Sequence, residues 1–564
     1  MRRVFVLTIT AIMVTTAFAI AAAPPRATSV SIARLAEFVP VFHPINAQSN
    51  QYLLFYPLFS QLVKLDLTDG SLQRVVPDLA QKWTVNANAT VFTFSLRKDV
   101  KWHDGNRLTA DDVVFTATWA AQNQAAHIGL KPAFFSIKDA ARAASACAAE
   151  KTIAKCGGTE PLAGVKKIDT FTVQFTLEEP NALFLRNLAD APSSIMPKHL
   201  LAGKTAEQIN RGEFKTRPVG TGPYKFVRFR PGQFVELAAN RDYFKGAPKI
   251  DRFFYKDITA ETALAQLESA ELDVGLSVGP DNLDRLSRVG HLNVQVVPSA
   301  GVAVLLLLVE SAQQRANPTL APKPGMKPGW DFTDKRVRQA IYYAIDRRGI
   351  NNKLYGGRNK ILWNPPGFVK YPGLNEYPFD PGKAKELLAQ SRVDLSKPIR
   401  FIVADDPDSR RVTPIIKDQL EAVGFKIELR SMDLSTWEKT AFGDATIRDQ
   451  WDMTYAFGGS EGLHPSRSSI YFLCEPEKLH DTGYYNCEMR KLFNEALTKA
   501  NPADQDKIYE RIARIFNEEM PEPYFWQVSG VHAINKRVGG GLRRIPMFER
   551  YVTMNAETWE IARR

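Results

Sequence analysis

The chain has 564 residues, of which 45% are hydrophobic and 24% charged, and its formal net charge is +12. That length exceeds one ordinary core and predicts two or three domains, while the apolar fraction excludes a disordered or fibrous chain. Basic residues alternate with acids instead of gathering in a stripe, which excludes nucleic acid as the expected partner.

Residues 1–19 read as a secretory signal peptide: Arg2 and Arg3, an apolar run, then the small-residue cleavage pattern Ala17-Phe18-Ala19. Thr8, Thr10, Thr15 and Thr16 interrupt the run, whereas a membrane anchor needs some twenty unbroken apolar residues, roughly a bilayer's thickness. Cleavage is expected after Ala19, with Ala22 as the alternative, and no cysteine stands nearby to carry a lipid anchor. Loss of Arg2 and Arg3, with no acid among residues 1–19, lowers the charge from +12 to +10. The expected mature protein is soluble and periplasmic, exported through the Sec pathway.

Residues 91–96 alternate as a strand, His103-Asp104-Gly105 forms a turn, and Thr109-x-x-Asp112 reads as a capping box opening a helix through Trp119. Adjacent residues in a turn make a poor catalytic dyad, so His103-Asp104 is not assigned one. The chain holds no HExxH, GxSxG or P-loop pattern. Its eight histidines are dispersed, and no metal or cofactor is expected. Four cysteines fall into two local pairs, Cys147 with Cys156 and Cys474 with Cys487. In an oxidising compartment these predict two disulfides, and neither pair has the spacing of zinc ligands.

Residues 224–229 and 234–237 flank Pro231-Gly232 as a hairpin. Before it, Gly220-Thr221-Gly222-Pro223 suits a chain crossing between lobes, although a plain surface loop has the same composition. The apolar run 302–309 predicts a strand buried on both faces. Val337, Ala340, Ile341, Ala344 and Ile345 form one face of a helix over residues 334–347. Residues 399–404, 410–423 and 425–429 read as strand, helix and parallel strand, with Gly424 as the helix cap. Met453, Tyr455 and Phe457 alternate along a strand that runs out at Gly458-Gly459, followed by Ser460 and Glu461. Asn501-Pro502 opens a helix to about Glu519, Pro521 and Pro523 stop it, and the chain is expected to finish in irregular structure.

The segment 218–243, PVGTGPYKFVRFRPGQFVELAANRDY, closely resembles the GTGPY signature of the bacterial extracellular solute-binding proteins of family five, the peptide- and nickel-type receptors of ABC importers. VVPDLAQKW (75–83), FTFSLRKDVKWHDG (92–105), TADDVVF (109–115), DKRVRQAIYYAID (334–346), WDMTYAFGGSEGLHP (451–465) and MPEPYFW (520–526) carry the same resemblance in the same order. It implies an α/β fold, a periplasmic-binding-protein-like two-lobe clamp (type II, cluster C) with an extra small α+β domain. It also implies a discontinuous layout: base lobe at 20–60, 213–298 and 526–564, an inserted small lobe at 61–212, and a large second lobe at 299–525. Such a receptor grips its solute without catalysis and delivers it to ABC permease subunits, acting as a monomer. Peptide is the first candidate ligand; oligosaccharides, opine-like conjugates and nickel chelates stay open, and a secreted hydrolase on this scaffold is the rival class.

Ligands of open α/β sheets gather beyond the carboxyl ends of strands, and paired glycines let a ligand reach the backbone. The candidate site is therefore Phe457, Gly458, Gly459, Ser460 and Glu461. Glu461 aligns with the aspartate that holds the ligand's α-ammonium group in peptide-binding relatives; glutamate for aspartate, and His464 where an acid is usual, depart from that pattern. The resemblance adds Trp363 and the loop Phe42-His43-Pro44-Ile45-Asn46, ending in Asn46. Arg358, Lys360 and Arg467 are open candidates for a ligand carboxylate.

Overall fold

The computed structural model describes residues 28–562 apart from 35–41, 43, 45–51, 68–73, 125–132, 310–329, 331, 366, 369–370, 392, 443–449, 459–464, 466–481, 483, 485, 500 and 545–548. Among these is an eleven-stranded mixed sheet. Its order is Lys426–Met432, Pro398–Ala404, Met453–Gly458, Leu292–Leu307, Tyr524–Asn535, Val274–Gly275, Ser29–Arg34, Arg252–Asp257, Phe234–Ala239 and Tyr224–Arg230; Lys360–Ile361 adds to Tyr524–Asn535.

Two long strands, Leu292–Leu307 and Tyr524–Asn535, pair antiparallel through the middle of this sheet. Their register slips between Pro298 and Val302, where four steps on one strand face two on the other; such a bulge bends the strand and sharpens its twist. Beyond the bulge, Val302 to Val309 and Tyr524 to Trp526 belong to one core, built with the helices of residues 335–519. Before it, Leu292, Val531 and Ala533 belong to a second small cluster with Ala263, Leu267 and Leu286. A third and larger core runs from Val30 to Leu276 and takes in Ile534 and residues 538–559. The fold is thus a two-lobe α/β clamp whose lobes are joined by continuous strands. Inside the third core an antiparallel four-stranded sheet, ordered Ala80–Val85, Val91–Leu96, Thr172–Thr176, Val165–Asp169, forms the small α+β unit.

Local sequence explains most elements. The hairpin pairs Arg230 with Phe234, and Gly232 takes the left-handed φ of +65° that its turn requires. Helix Pro407–Ala422 starts at Asp406, whose carboxylate accepts from the Asp408 and Ser409 N–H groups, and Gly424 follows it at φ +112°. The flanking strands pair in parallel from Pro398↔Lys426 to Ala404↔Met432. Thr109 N–H donates to Asp112 at 2.9 Å, closing the capping box of helix Ala110–Gln122. Cys147 and Cys156 are joined by a disulfide across Cα atoms 5.0 Å apart. Cys487 is also disulfide-bonded, and its expected partner Cys474 lies outside the described residues.

Two expectations need correction. The helix expected over 334–347 ends at Ala344, because Ile345 is extended and Asp346 caps a new helix, Arg347–Tyr355, by accepting from Gly349 N–H. The end of the chain is not irregular: Tyr524–Asn535 is a twelve-residue strand, all but one residue buried. Its Gln527, Ser529, His532 and Asn535 broke the apolar pattern, yet they sit inside the sheet.

The start of strand Met453–Gly458 hangs on one buried carboxylate. Asp452 takes two hydrogen bonds from the Arg400 guanidinium, at 2.9 and 2.7 Å, and accepts from the backbone N–H groups of Arg400 (2.9 Å) and Trp330 (3.1 Å). Removing one partner of a buried pair strands the other. Asp452→Asn is expected to lower stability by about 2 kcal/mol, read from the urea midpoint, with faster amide exchange in strand Pro398–Ala404.

Candidate functional site

Strand Met453–Gly458 is seated on both flanks. It runs parallel to Pro398–Ala404 and antiparallel to Leu292–Leu307, with Gly458 opposite Val302, at the bulge where the two cores change over. Side chains lock its register: Trp437 Nε1 donates to Thr454 Oγ1 at 2.8 Å, and the Tyr455 hydroxyl donates to Asp408 at 3.0 Å. Burial pushes the Asp408 carboxyl above the usual carboxylate range, and the tyrosine hydroxyls pull it back. The carboxyl end of this strand therefore points a rigid stem at the junction between lobes. Gly459, Ser460 and Glu461 lie outside the described residues, as do His464, Arg467 and Asn46; Phe457 and Gly458 are described as backbone.

Trp363 is placed by a different strand. At the level of Gly458 the sheet reads Gly458, Val302, Gln527, Lys360, which at about 4.8 Å per strand spans about 14 Å. Leu362 N–H donates to Phe525 O at 3.1 Å, so the chain continues into the large lobe, where half-buried Trp363 lines a recess with Ile361, Leu362, Asn364, Phe368 and Leu374. Two strands thus separate the strand leading to Trp363 from Gly458. Arg358 faces Asp284 at 3.7 Å. Of the expected loop, Phe42 is fully buried, stacked 5.5 Å from Phe226 and edge-on 5.2 Å from Phe229.

The GTGP bend has a role that no local pattern carried. Ideal Cβ atoms on Gly220 and Gly222 would stand 1.9 Å from Leu58 O and 2.2 Å from Pro57 O, so both glycines admit the end of helix Tyr52–Leu58 against the bend. His103 bridges the same bend: Gly220 N–H donates to its Nδ1 at 3.2 Å, and its Nε2–H donates to Gly222 O at 3.0 Å. That pattern needs the neutral imidazole, and burial lowers its pKa to about 4. His103 is therefore a fastener between small unit and base. Asp104 turns away to His199, 2.7 Å distant.

Among the described residues no group of three His, Cys, Asp or Glu side chains is placed to hold a metal ion. No described helix is long and apolar enough to cross a membrane. Residues 74–476 match the family model of bacterial extracellular solute-binding proteins, family 5. The chain belongs to this family. As a family 5 solute-binding protein it is a transport receptor, not an enzyme. It is 26% identical over 485 residues to the di/tripeptide-binding protein 2 of Pseudomonas aeruginosa, covering 83% of each chain. Its fold matches the substrate-binding protein CtaP of Listeria monocytogenes with a TM-score of 0.75 at 21% identity, covering 95% of this chain and 100% of that one. The oligopeptide-binding protein AppA of Bacillus subtilis, solved with a nonapeptide, superposes with a TM-score of 0.70 at 21% identity over 95% and 99% of the two chains.

Proposed function

We propose that this family 5 protein is the periplasmic receptor of an ABC importer and that its solute is a peptide, held in the crevice between a base and a large lobe. The observation that carries the reading is the change of core at the Pro298/Val302 slip, directly beside Gly458. A ligand touching both sides of that junction binds the closed form better and so drives closure without chemistry. A relative named for di- and tripeptides and a structural neighbour bound to a nonapeptide support peptide as the class. The working division is base 20–60, 213–298 and 526–564, small lobe 61–212 and large lobe 299–525. Residues 1–19 direct export, the mature chain acts as a monomer, and the closed form is presented to the permease subunits.

Within the crevice the turn Gly458-Gly459-Ser460-Glu461 offers backbone groups to an extended peptide, and Glu461 takes its α-ammonium group. Loss of one member of a desolvated charge pair costs about 2–5 kcal/mol. Glu461→Gln is expected to weaken a free-amine peptide at least tenfold and to leave an N-acetylated one unchanged, measured by calorimetry. Equal affinity of variant and parent for the free-amine peptide removes the anchor. Mass spectrometry of the solute that copurifies tests the ligand class itself.

A further inference from the structure

Two arginines of the large lobe reach acids of the base. Arg411, on helix Pro407–Ala422, places Nη1 3.1 Å from Asp281 Oδ2, and Arg358, just past helix Arg347–Tyr355, places Nη2 3.7 Å from Asp284 Oδ1. Both acids stand on the short helices Pro280–Asn282 and Leu283–Ser287, which lead into the long strand Leu292–Leu307 and pack on the base through Leu286. Arg411 also has a partner in its own lobe: Nη2 lies 3.6 Å from Asp408 Oδ1, and the guanidinium lies over the Tyr355 ring, 5.6 Å from its centre. Asp408 in turn accepts from the hydroxyls of Tyr355 and Tyr455. Tyr455 belongs to the strand that ends at Gly458, three residues further on.

Asp281, Arg411 and Asp408 thus form an alternating row of charge that begins on the base and ends at Asp408, to which strand Met453–Gly458 is tied by the Tyr455 hydroxyl. We propose that this row is an interlobe latch: Arg411 bridging to Asp281 favours the closed clamp, and Asp408 ties the arginine's position to the ligand-bearing strand. In an opened clamp the base helices withdraw and Arg411 keeps only Asp408. Arg411 and Asp281 are 40% and 59% exposed at the side chain, so the bridge is weak as a prop for folding. A weak bias is nonetheless what tunes a two-state equilibrium, since small differential energies change populations severalfold. Exposure also makes the latch salt-sensitive.

The inference rests on the moving-lobe reading, and its test needs no ligand. Dyes placed on the base and the large lobe of the full chain report open and closed populations by single-molecule energy transfer. Asp281→Asn and Arg411→Gln are each expected to lower the closed-to-open ratio about threefold, and 1 M NaCl to bring the parent to the same ratio. Two populations whose ratio is the same in parent and single variants overturn the latch and leave the moving lobes standing. A fall in melting temperature with an unchanged ratio marks a mere hinge staple and also overturns it. A single interlobe distance in the parent, with and without a peptide mixture, overturns latch and moving-lobe reading together.

Discussion

Gly220→Ala and Gly222→Ala are expected to cost about 3–5 kcal/mol each, among the largest single-residue effects in this chain. The added methyl would sit 1.9 Å from Leu58 O in one case and 2.2 Å from Pro57 O in the other. Both obstacles are backbone atoms at the end of helix Tyr52–Leu58, whose Tyr56, Leu58 and neighbouring Phe59 are fully buried, so neither can swing aside like a flexible side chain. Any retreat of the bend also breaks the Gly220 and Gly222 bonds to His103 and the Gly222 N–H bond to Leu58 O at 3.0 Å. The expected readout is a fall of about 10 °C in melting temperature, or no soluble product. Gly232→Ala is the matched control. That glycine has the left-handed φ of +65° but nothing within 4 Å of its Cβ position, so only strain of about 1 kcal/mol is expected. Equal melting temperatures for Gly220→Ala and Gly232→Ala would show that close approach is not what the signature glycines are for.

The same bend shows where a sequence is legible. Hairpin, βαβ unit and helix Pro502–Glu519 are written in single residues or neighbouring pairs: Pro231-Gly232, Gly424, and Asn501-Pro502. Each is a local rule about φ, a cap or a missing N–H. The strand Tyr524–Asn535 escaped because its polar residues are paid for at long range: Ser529 N–H donates to Asn359 Oδ1, Ser529 Oγ donates to Arg358 O, and His532 Nδ1 accepts from Ser277 N–H. Likewise the pairing of His103 with Gly220 and Gly222 spans more than a hundred residues of chain. For the candidate site, the strand carrying Phe457 and Gly458 was readable from its alternation. Its position at the slip between two cores was not, since that depends on Leu292–Leu307 continuing through both. The row was equally hidden, because Asp408 and Arg411 share one helix while Asp281 comes from the other lobe, 130 residues away.

Acid is expected to weaken the fold between pH 6.5 and 4 through two histidines. His532 is 3% exposed, its Nδ1 accepts from Ser277 N–H at 3.1 Å, and burial lowers its pKa to about 4. His103 is lowered to about 4 as well, first by burial and then by Lys225, whose ammonium donates to His103 O at 3.0 Å. An imidazole in the unfolded chain takes its proton near pH 6.5, while these two refuse it until about pH 4. Across that window the unfolded state binds more protons, so stability is complete above pH 6.5 and falls as the pH is lowered. At pH 5 the loss is about 2 kcal/mol for His532 and somewhat less for partly exposed His103, about 3 kcal/mol together. The carboxyls of Asp112 and Asp408, raised by burial, act in the opposite sense and offset part of it. Urea midpoints at pH 7 and pH 5 measure the difference, and His532→Gln, which keeps an acceptor for Ser277 N–H, is expected to remove more than half of it. Imidazole proton shifts followed by NMR should show His103 and His532 neutral at pH 5. If His103 and His532 titrate near pH 6.5, or the two midpoints coincide, the neutral histidines do not hold the small unit and the sheet in the way the geometry requires.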